Sequence, residues 1–246
     1  MPLLKLILRD RLVWLMAALG AAALVIGRGV IDGDTATQLV AKGGYWVMLF
    51  TVALAARALW KVGREAIDAW RPGRLDVAAL ALVVGCSTVW VAHERQGFKI
   101  LADEVLLLGT SMVMHQEREV SYPIRAADLR GPFELTHRVL DKRPYFFPFL
   151  VSVVHDVTGY RGTNPFHVNA VLGCVFLGLV YVLGWRIAGQ RWAGALLVLL
   201  FTGLPLLAQQ AAGGGFELLN LVMIALVLLL GWRYAERPDE PSLEAL

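Results

Sequence analysis

Six long apolar runs constrain this chain more than any other feature: Leu12–Ile31, Gly43–Leu59, Leu75–His93, Phe166–Ile187, Trp192–Gln209 and Phe216–Trp232. Each approaches the roughly 17–25 residues that carry a helix across a bilayer. Backbone in lipid must satisfy its own hydrogen bonds, which leaves helices or closed barrels as spanning structures. Composition agrees, since 57% of the residues are hydrophobic and 17% charged, against about a quarter charged in soluble domains. The expected fold is an all-α, polytopic membrane helix bundle of about six transmembrane helices, with two juxtamembrane surface helices in an outer loop.

A seventh apolar piece, Tyr145–Gly159, is shorter and contains Pro148, His155 and Asp156. Runs of that length rest in the interface or re-enter more often than they span. Charge placement decides the matter. Lys5, Arg9 and Arg11 precede the first run, and Arg57, Lys61, Arg64, Arg71 and Arg74 fill the link after the second. Arg186 and Arg191 flank the link between the fourth and fifth runs, and Arg233 and Arg237 follow the sixth. If Tyr145–Gly159 does not cross, all these clusters share one side, as the positive-inside rule asks. Both termini are then cytoplasmic, and the chain is an integral protein of the bacterial inner (plasma) membrane. The net charge of +3 is spread over those links, and no nucleic-acid partner is expected.

The organisation reads as two N-terminal spans with a basic link over residues 1–74, a membrane core over 75–234, and a polar tail over 235–246. Cys86 and Cys174 both lie in apolar runs, which suits small buried side chains and not a disulfide framework. Arg28 stands where a cleavable signal would need small residues.

The long interruption over residues 94–165 is the place for chemistry, because loops of this size are functional or disordered and this one is rich in aromatic residues. Leu101, Val105, Leu108 and Met112 recur at helical spacing, with Asp103, Thr110 and Glu117 on the other side. That pattern predicts a helix along the outer surface, stopped at Ser121-Tyr122-Pro123. Arg130-Gly131-Pro132 marks a turn, and Tyr145–Val157 forms a second surface helix.

Asp103 and Glu104 head this loop. A carboxylate backed by lipid has a raised proton affinity unless a cation offsets it, which suits a general base; the plainer alternative is an acidic helix start. Lys142 and Arg143, beside Tyr145, can hold a phosphate, or else snorkel to headgroups. Glu217 follows Gly213-Gly214-Gly215 at the outer mouth of the last run, where an acidic side chain is costly without a role; helix-start capping is its simpler explanation. His115, Glu117, His137, His155 and Asp156 have metal-ligating types but no zinc-like spacing, so no cofactor is expected and a divalent metal has no support from spacing. Asn164, His167, Asn169 and Asn220 suit hydrogen bonds between helices.

This order of features resembles the GT-C membrane glycosyltransferases, in particular the group with protein O-mannosyltransferases and lipid A aminoarabinose transferases. The resemblance runs through Asp103-Glu104, Asp141-Lys142-Arg143-Pro144-Tyr145-Phe146-Phe147-Pro148, Gly159, Tyr181-Val182-Leu183-Gly184, Pro205 and Glu217, and covers residues 75–234. It implies transfer of a sugar from a polyprenyl-phosphate donor to an acceptor glycan, lipid or protein on the extracytoplasmic side, with inversion. Asp103 then falls on the acceptor-activating carboxylate, with Glu104 beside it, and Lys142, Arg143, Tyr145 and Glu217 fall on substrate-binding positions. Arg143 separates Lys142 from Pro144 where the family joins lysine to proline, which leaves open which cation meets the phosphate. Family members are about twice as long, which fits a fragment, a truncated product, or a half whose partner is a missing C-terminal part. The alternative is a non-catalytic membrane protein that binds lipid phosphate or scaffolds a partner. A transporter fits less well, because the spans hold almost no ionisable residues near their centres.

Overall fold

A computed structural model describes residues 11–69, 74–128 and 133–236. Nine helices and one hairpin follow in order: α1 (Arg11–Gly29), α2 (Gly33–Ala69), α3 (Arg74–His93), α4 (Leu101–Glu117), β1 (Tyr122–Asp128), β2 (Phe133–Val139), α5 (Phe146–Thr158), α6 (Asn164–Ala188), α7 (Arg191–Thr202), α8 (Pro205–Ala212) and α9 (Glu217–Glu236). Among these residues, four helices are long and apolar enough to cross a bilayer: α2, α3, α6 and α9. The pair α7–α8 makes a fifth if counted as one span. The described part of α1 is a shorter apolar helix. The expected turn at Arg130-Gly131-Pro132, the cations Lys5, Arg9 and Arg71, and the tail from Arg237 lie outside the described residues.

The core forms around α6, which packs on α3, α7, α8 and α9. Val83, Trp90, Leu177, Val198, Leu207 and Leu218 are buried together there. Two glycines set the closeness of α6 to α7. A Cβ on Gly184 would sit 3.0 Å from the Ala193 carbonyl, and one on Gly194 would sit 2.5 Å from the Tyr181 carbonyl. Without lipid-excluding pressure between helices, such close backbone approach is what gives membrane bundles their van der Waals contact. Gly189, at φ 67, ends α6 in the left-handed region that favours glycine.

The predicted span Trp192–Gln209 is not one straight helix. Leu204 adopts an extended conformation before Pro205, and α7 and α8 meet at a bend of 75°. Proline removes a backbone donor and disfavours helix in the residue before it. The second predicted span, Gly43–Leu59, is the middle of the 37-residue α2; at about 1.5 Å per residue that helix outruns a bilayer. The free thiols Cys86 and Cys174 form no disulfide.

Residues 94–128 and 133–163 build a cap over one end of the bundle. Two helices are present where they were expected, as α4 and α5, and they pack on each other. Between them lies an antiparallel hairpin that the helical pattern did not anticipate, with Tyr122 opposite Val139 and Asp128 opposite Phe133. The helix expected to run to Ser121-Tyr122-Pro123 ends earlier, at Glu117, where Arg118 turns into the left-handed region at φ 59, and Tyr122-Pro123 instead opens a strand. Arg138 of β2 ties the hairpin to the end of α4, donating to Glu117 at 2.7 Å and Glu119 at 3.1 Å. The cap also holds α2: Tyr45, Met114, Val120 and Phe149 form a buried cluster, and the Val120 N–H donates to the Ala41 carbonyl at 2.7 Å.

The face of α4 that packs inward differs from the predicted apolar stripe. Leu101 and Val105 are exposed, while Glu104, Leu107, Thr110, Ser111 and Met114 are buried. Thr110, expected on the polar side, satisfies its hydroxyl on the Leu106 carbonyl at 3.0 Å.

Candidate functional site

Arg143 joins the two halves of the predicted site. Its Nη1 donates to both oxygens of Asp141 at 2.8 Å, and its Nε donates to Asp103 at 3.1 Å, with Nη2 on the same Asp103 oxygen. The carboxylate at the start of α4 and the cation before α5 are therefore in direct contact. Asp103 and Asp141, in that order, hold the guanidinium above its ordinary proton affinity. Arg143 is mostly shielded, with 19% of its side chain exposed, whereas Asp103 keeps 46%. Lys142 is exposed and forms no ion pair among the described residues. Tyr145 donates its hydroxyl to the Asp141 carbonyl, which fixes the turn that presents this group. Burial, then the Asp141 charge, raises the Tyr145 hydroxyl above its usual range.

Glu104 points elsewhere. It is 3% exposed, and its carboxylate accepts the Lys99 backbone N–H at 2.6 Å and a backbone hydrogen bond from Gly214. Burial raises its proton affinity, with a smaller push from the charge of Glu217; the backbone donors oppose this. The raised affinity expected of the doublet thus belongs to Glu104, while Asp103 has the offsetting cation. Glu217 opens α9 beside the Gly213–Gly215 loop, as predicted, and so faces Glu104 and not Arg143. The six predicted residues divide into two groups, Asp103 with Lys142, Arg143 and Tyr145, and Glu104 with Glu217.

The His and acidic residues considered as ligands form a different structure. The His155 ring is fully buried and lies between Ser111 Oγ at 3.2 Å and Asn164 Nδ2 at 2.7 Å. The Asn164 amide also donates to the Gly159 carbonyl at 3.2 Å, which fixes its nitrogen as the donor. The Ser111 hydroxyl also donates to the Leu108 carbonyl at 2.7 Å. The trio joins α4, α5 and α6 as a clamp. Burial, then the neighbouring His115, lowers the His155 pKa to about 4. At the surface, Asp156 accepts from His115 at 2.6 Å and from Arg118 at 2.7 Å. Burial alone would raise the Asp156 carboxylate, but these two donors bring it below its usual range. Among the described residues, no group of three or more His, Cys, Asp or Glu side chains is placed to hold a metal ion.

Sequence reasoning quoted Asp141 within its motif but gave it no role, although its carboxylate shares Arg143 with Asp103. An acid two residues before the arginine was the available signal. Asn169, read as a hydrogen-bonding group between helices, donates to the carbonyls of Gly213 and Gly215 at 2.8 and 2.9 Å. At the opposite end of the bundle, Arg186 pairs with Glu236 at 3.3 Å, Arg191 with Asp76, and Arg233 donates to the Val62 carbonyl.

No family model matches the chain, and no solved structure matches it. Over 65 residues the sequence is 35% identical to the glutathione biosynthesis bifunctional protein GshAB of Desulfotalea psychrophila (strain LSv54 / DSM 12343). That stretch is 26% of this chain and 7% of the relative. A likeness covering so little of the relative carries none of its activity to this chain.

Proposed function

We propose that this chain is a GT-C-like membrane glycosyltransferase, or the N-terminal part of one, that moves a sugar from a polyprenyl-phosphate donor to an acceptor on the extracytoplasmic side. In this reading the protein has about six spans, both termini are cytoplasmic, and the cap of α4, hairpin and α5 lies outside in a bacterial inner membrane. The observation that carries it is the Asp103–Arg143 contact, with the exposed Lys142 next to it. The basic residues at the other end of the bundle support the orientation.

In the proposed reaction, an acceptor hydroxyl loses its proton to Asp103 as its oxygen bonds to the anomeric carbon. The bond from that carbon to the phosphate oxygen breaks on the opposite face, which inverts the centre, and polyprenyl phosphate leaves. Lys142 receives the phosphate charge. Arg143 orients Asp103 and, when a phosphate competes for its guanidinium, loosens its hold and frees the base. Such catalysis is positioning and electrostatics. The test is transfer from a lipid-linked sugar by the full-length protein in liposomes. Asp103→Asn should abolish turnover with donor binding kept, and wild-type activity in that variant removes the assignment.

A second reading, a non-catalytic protein that binds lipid phosphate, draws on one observation. Both carboxylates are already occupied, Asp103 by Arg143 and Glu104 by two backbone N–H groups. It expects Lys142→Ala to weaken binding to anionic-phosphate vesicles while Asp103→Asn leaves that binding unchanged.

A further inference from the structure

The loop Gly213-Gly214-Gly215, between α8 and α9, gathers oxygen acceptors without a cation. Asn169 is fully buried, its amide nitrogen is spent on the Gly213 and Gly215 carbonyls, and its Oδ1 has no partner. Those two donated bonds fix which atom is oxygen. Glu217 Oε2 is also buried without a partner. The glycines are not demanded by backbone conformation: Gly213 has φ −94, and Gly159 and Gly189 are the positive-φ glycines among the described residues. What glycine supplies here is room. A Cβ on Gly215 would fall on the Glu217 carboxylate and 3.4 Å from Gln210 Oε1, and one on Gly213 would lie 3.0 Å from Glu104 Oε1.

Among the described residues, no counter-charge fills that room. Lys99 has its Cγ beside Gly213, yet its ammonium turns away to Glu94 at 3.4 Å and to the Arg95 carbonyl at 2.8 Å. Neither Glu104 nor Glu217 forms an ion pair among the described residues. An orphaned buried acceptor costs about 1–3 kcal/mol, and two of them at one loop call for a ligand that brings positive charge. An oxygen-only donor set with two carboxylates matches a hard divalent cation.

We propose that this loop is a divalent-cation site in which Glu104 and Glu217 supply the charged ligands and Asn169 Oδ1 and Gln210 Oε1 the neutral ones. The ion would tie α4 to the junction of α8 and α9, and so fix the cap on the bundle. This site stands apart from the Asp103–Arg143 group and does not depend on the transferase reading.

The test uses the full chain in nanodiscs, stripped with chelator and titrated with Mn2+ under paramagnetic resonance, then with Mg2+ and Ca2+ under thermal unfolding. One Mn2+ per chain is expected, with a saturable rise in unfolding temperature. Glu217→Gln and Gln210→Ala should each weaken binding, the former at least tenfold. Absence of stoichiometric Mn2+ on the wild-type chain overturns the proposal whether or not the variants fold. Equal binding by folded Glu217→Gln overturns it too. So does stabilisation by acid alone without response to metal, which would mean that the two carboxylates share a proton.

Discussion

The guanidinium of Arg143 is divided between two carboxylates, taking Asp141 through Nη1 and Asp103 through Nε and Nη2. This contact spans 40 residues of sequence and pins the start of α4 to the turn before α5.

Arg143→Lys keeps the charge but loses the planar fork that serves two partners. Because nearly half of Asp103 is exposed, the pair adds about 0–1 kcal/mol to stability. The unfolding temperature should therefore fall by at most about 4 °C, while sugar transfer drops at least tenfold. Thermal unfolding beside the transfer assay separates these effects, and a variant that loses mainly stability contradicts the assigned role.

His155 makes the fold sensitive to acid. Its pKa in the folded chain is about 4, below the ordinary 6.5, so the unfolded chain binds more protons between those values. Stability is fully present above pH 6.5 and is lost as pH falls toward 4. Between pH 7 and pH 5 the loss from this group is about 2 kcal/mol. Chemical denaturation at the two pH values measures it, and His155→Gln should flatten the dependence even where it lowers stability overall.

Two glycine substitutions separate packing from helix propensity. Gly194→Ala would drive a methyl to 2.5 Å from the Tyr181 carbonyl, where backbone cannot rotate aside, and should cost about 1–3 kcal/mol. Gly178 in α6 has nothing within 4 Å of an added Cβ, so Gly178→Ala should be neutral or stabilise by up to about 1 kcal/mol. Unfolding midpoints in a common detergent compare them, and equal effects would refute the close α6–α7 contact.

Accessibility labelling tests the disposition of the cap. The 13 residues of α5 reach about 20 Å, short of the roughly 30 Å hydrocarbon layer. With Cys86 and Cys174 replaced by alanine, single cysteines at His137 and Arg161 should react with an impermeant reagent from outside. A cysteine at Gln190 should react only after permeabilisation. Labelling of Arg161→Cys and His137→Cys from opposite sides would place α5 across the membrane.

Much of the cap was readable before folding. The two helices flanking the hairpin and the acidic opening of α9 follow from local rules about apolar spacing and length, whereas the end of α4 at Glu117 rests on a left-handed Arg118 that no proline marks. The hairpin was missed because two seven-residue strands beside long helical runs carry a weak alternation, and the Gly-Pro sequence between them was the cue the sequence offered. The break between α7 and α8 was marked by Pro205, yet its 75° angle depends on what α8 packs against.

By itself the sequence determined that this chain is built of apolar helices with one large polar interruption, because burial of backbone in lipid allows little else. It also placed an acidic and a basic doublet in the same interruption. Tertiary structure alone decided what each member of the doublets does. Successive residues on a helix point about 100° apart, so Asp103 and Glu104 look in different directions. The packing of α4 against α5 and the glycine loop gave one of them a guanidinium in partial solvent and the other a buried place among backbone donors.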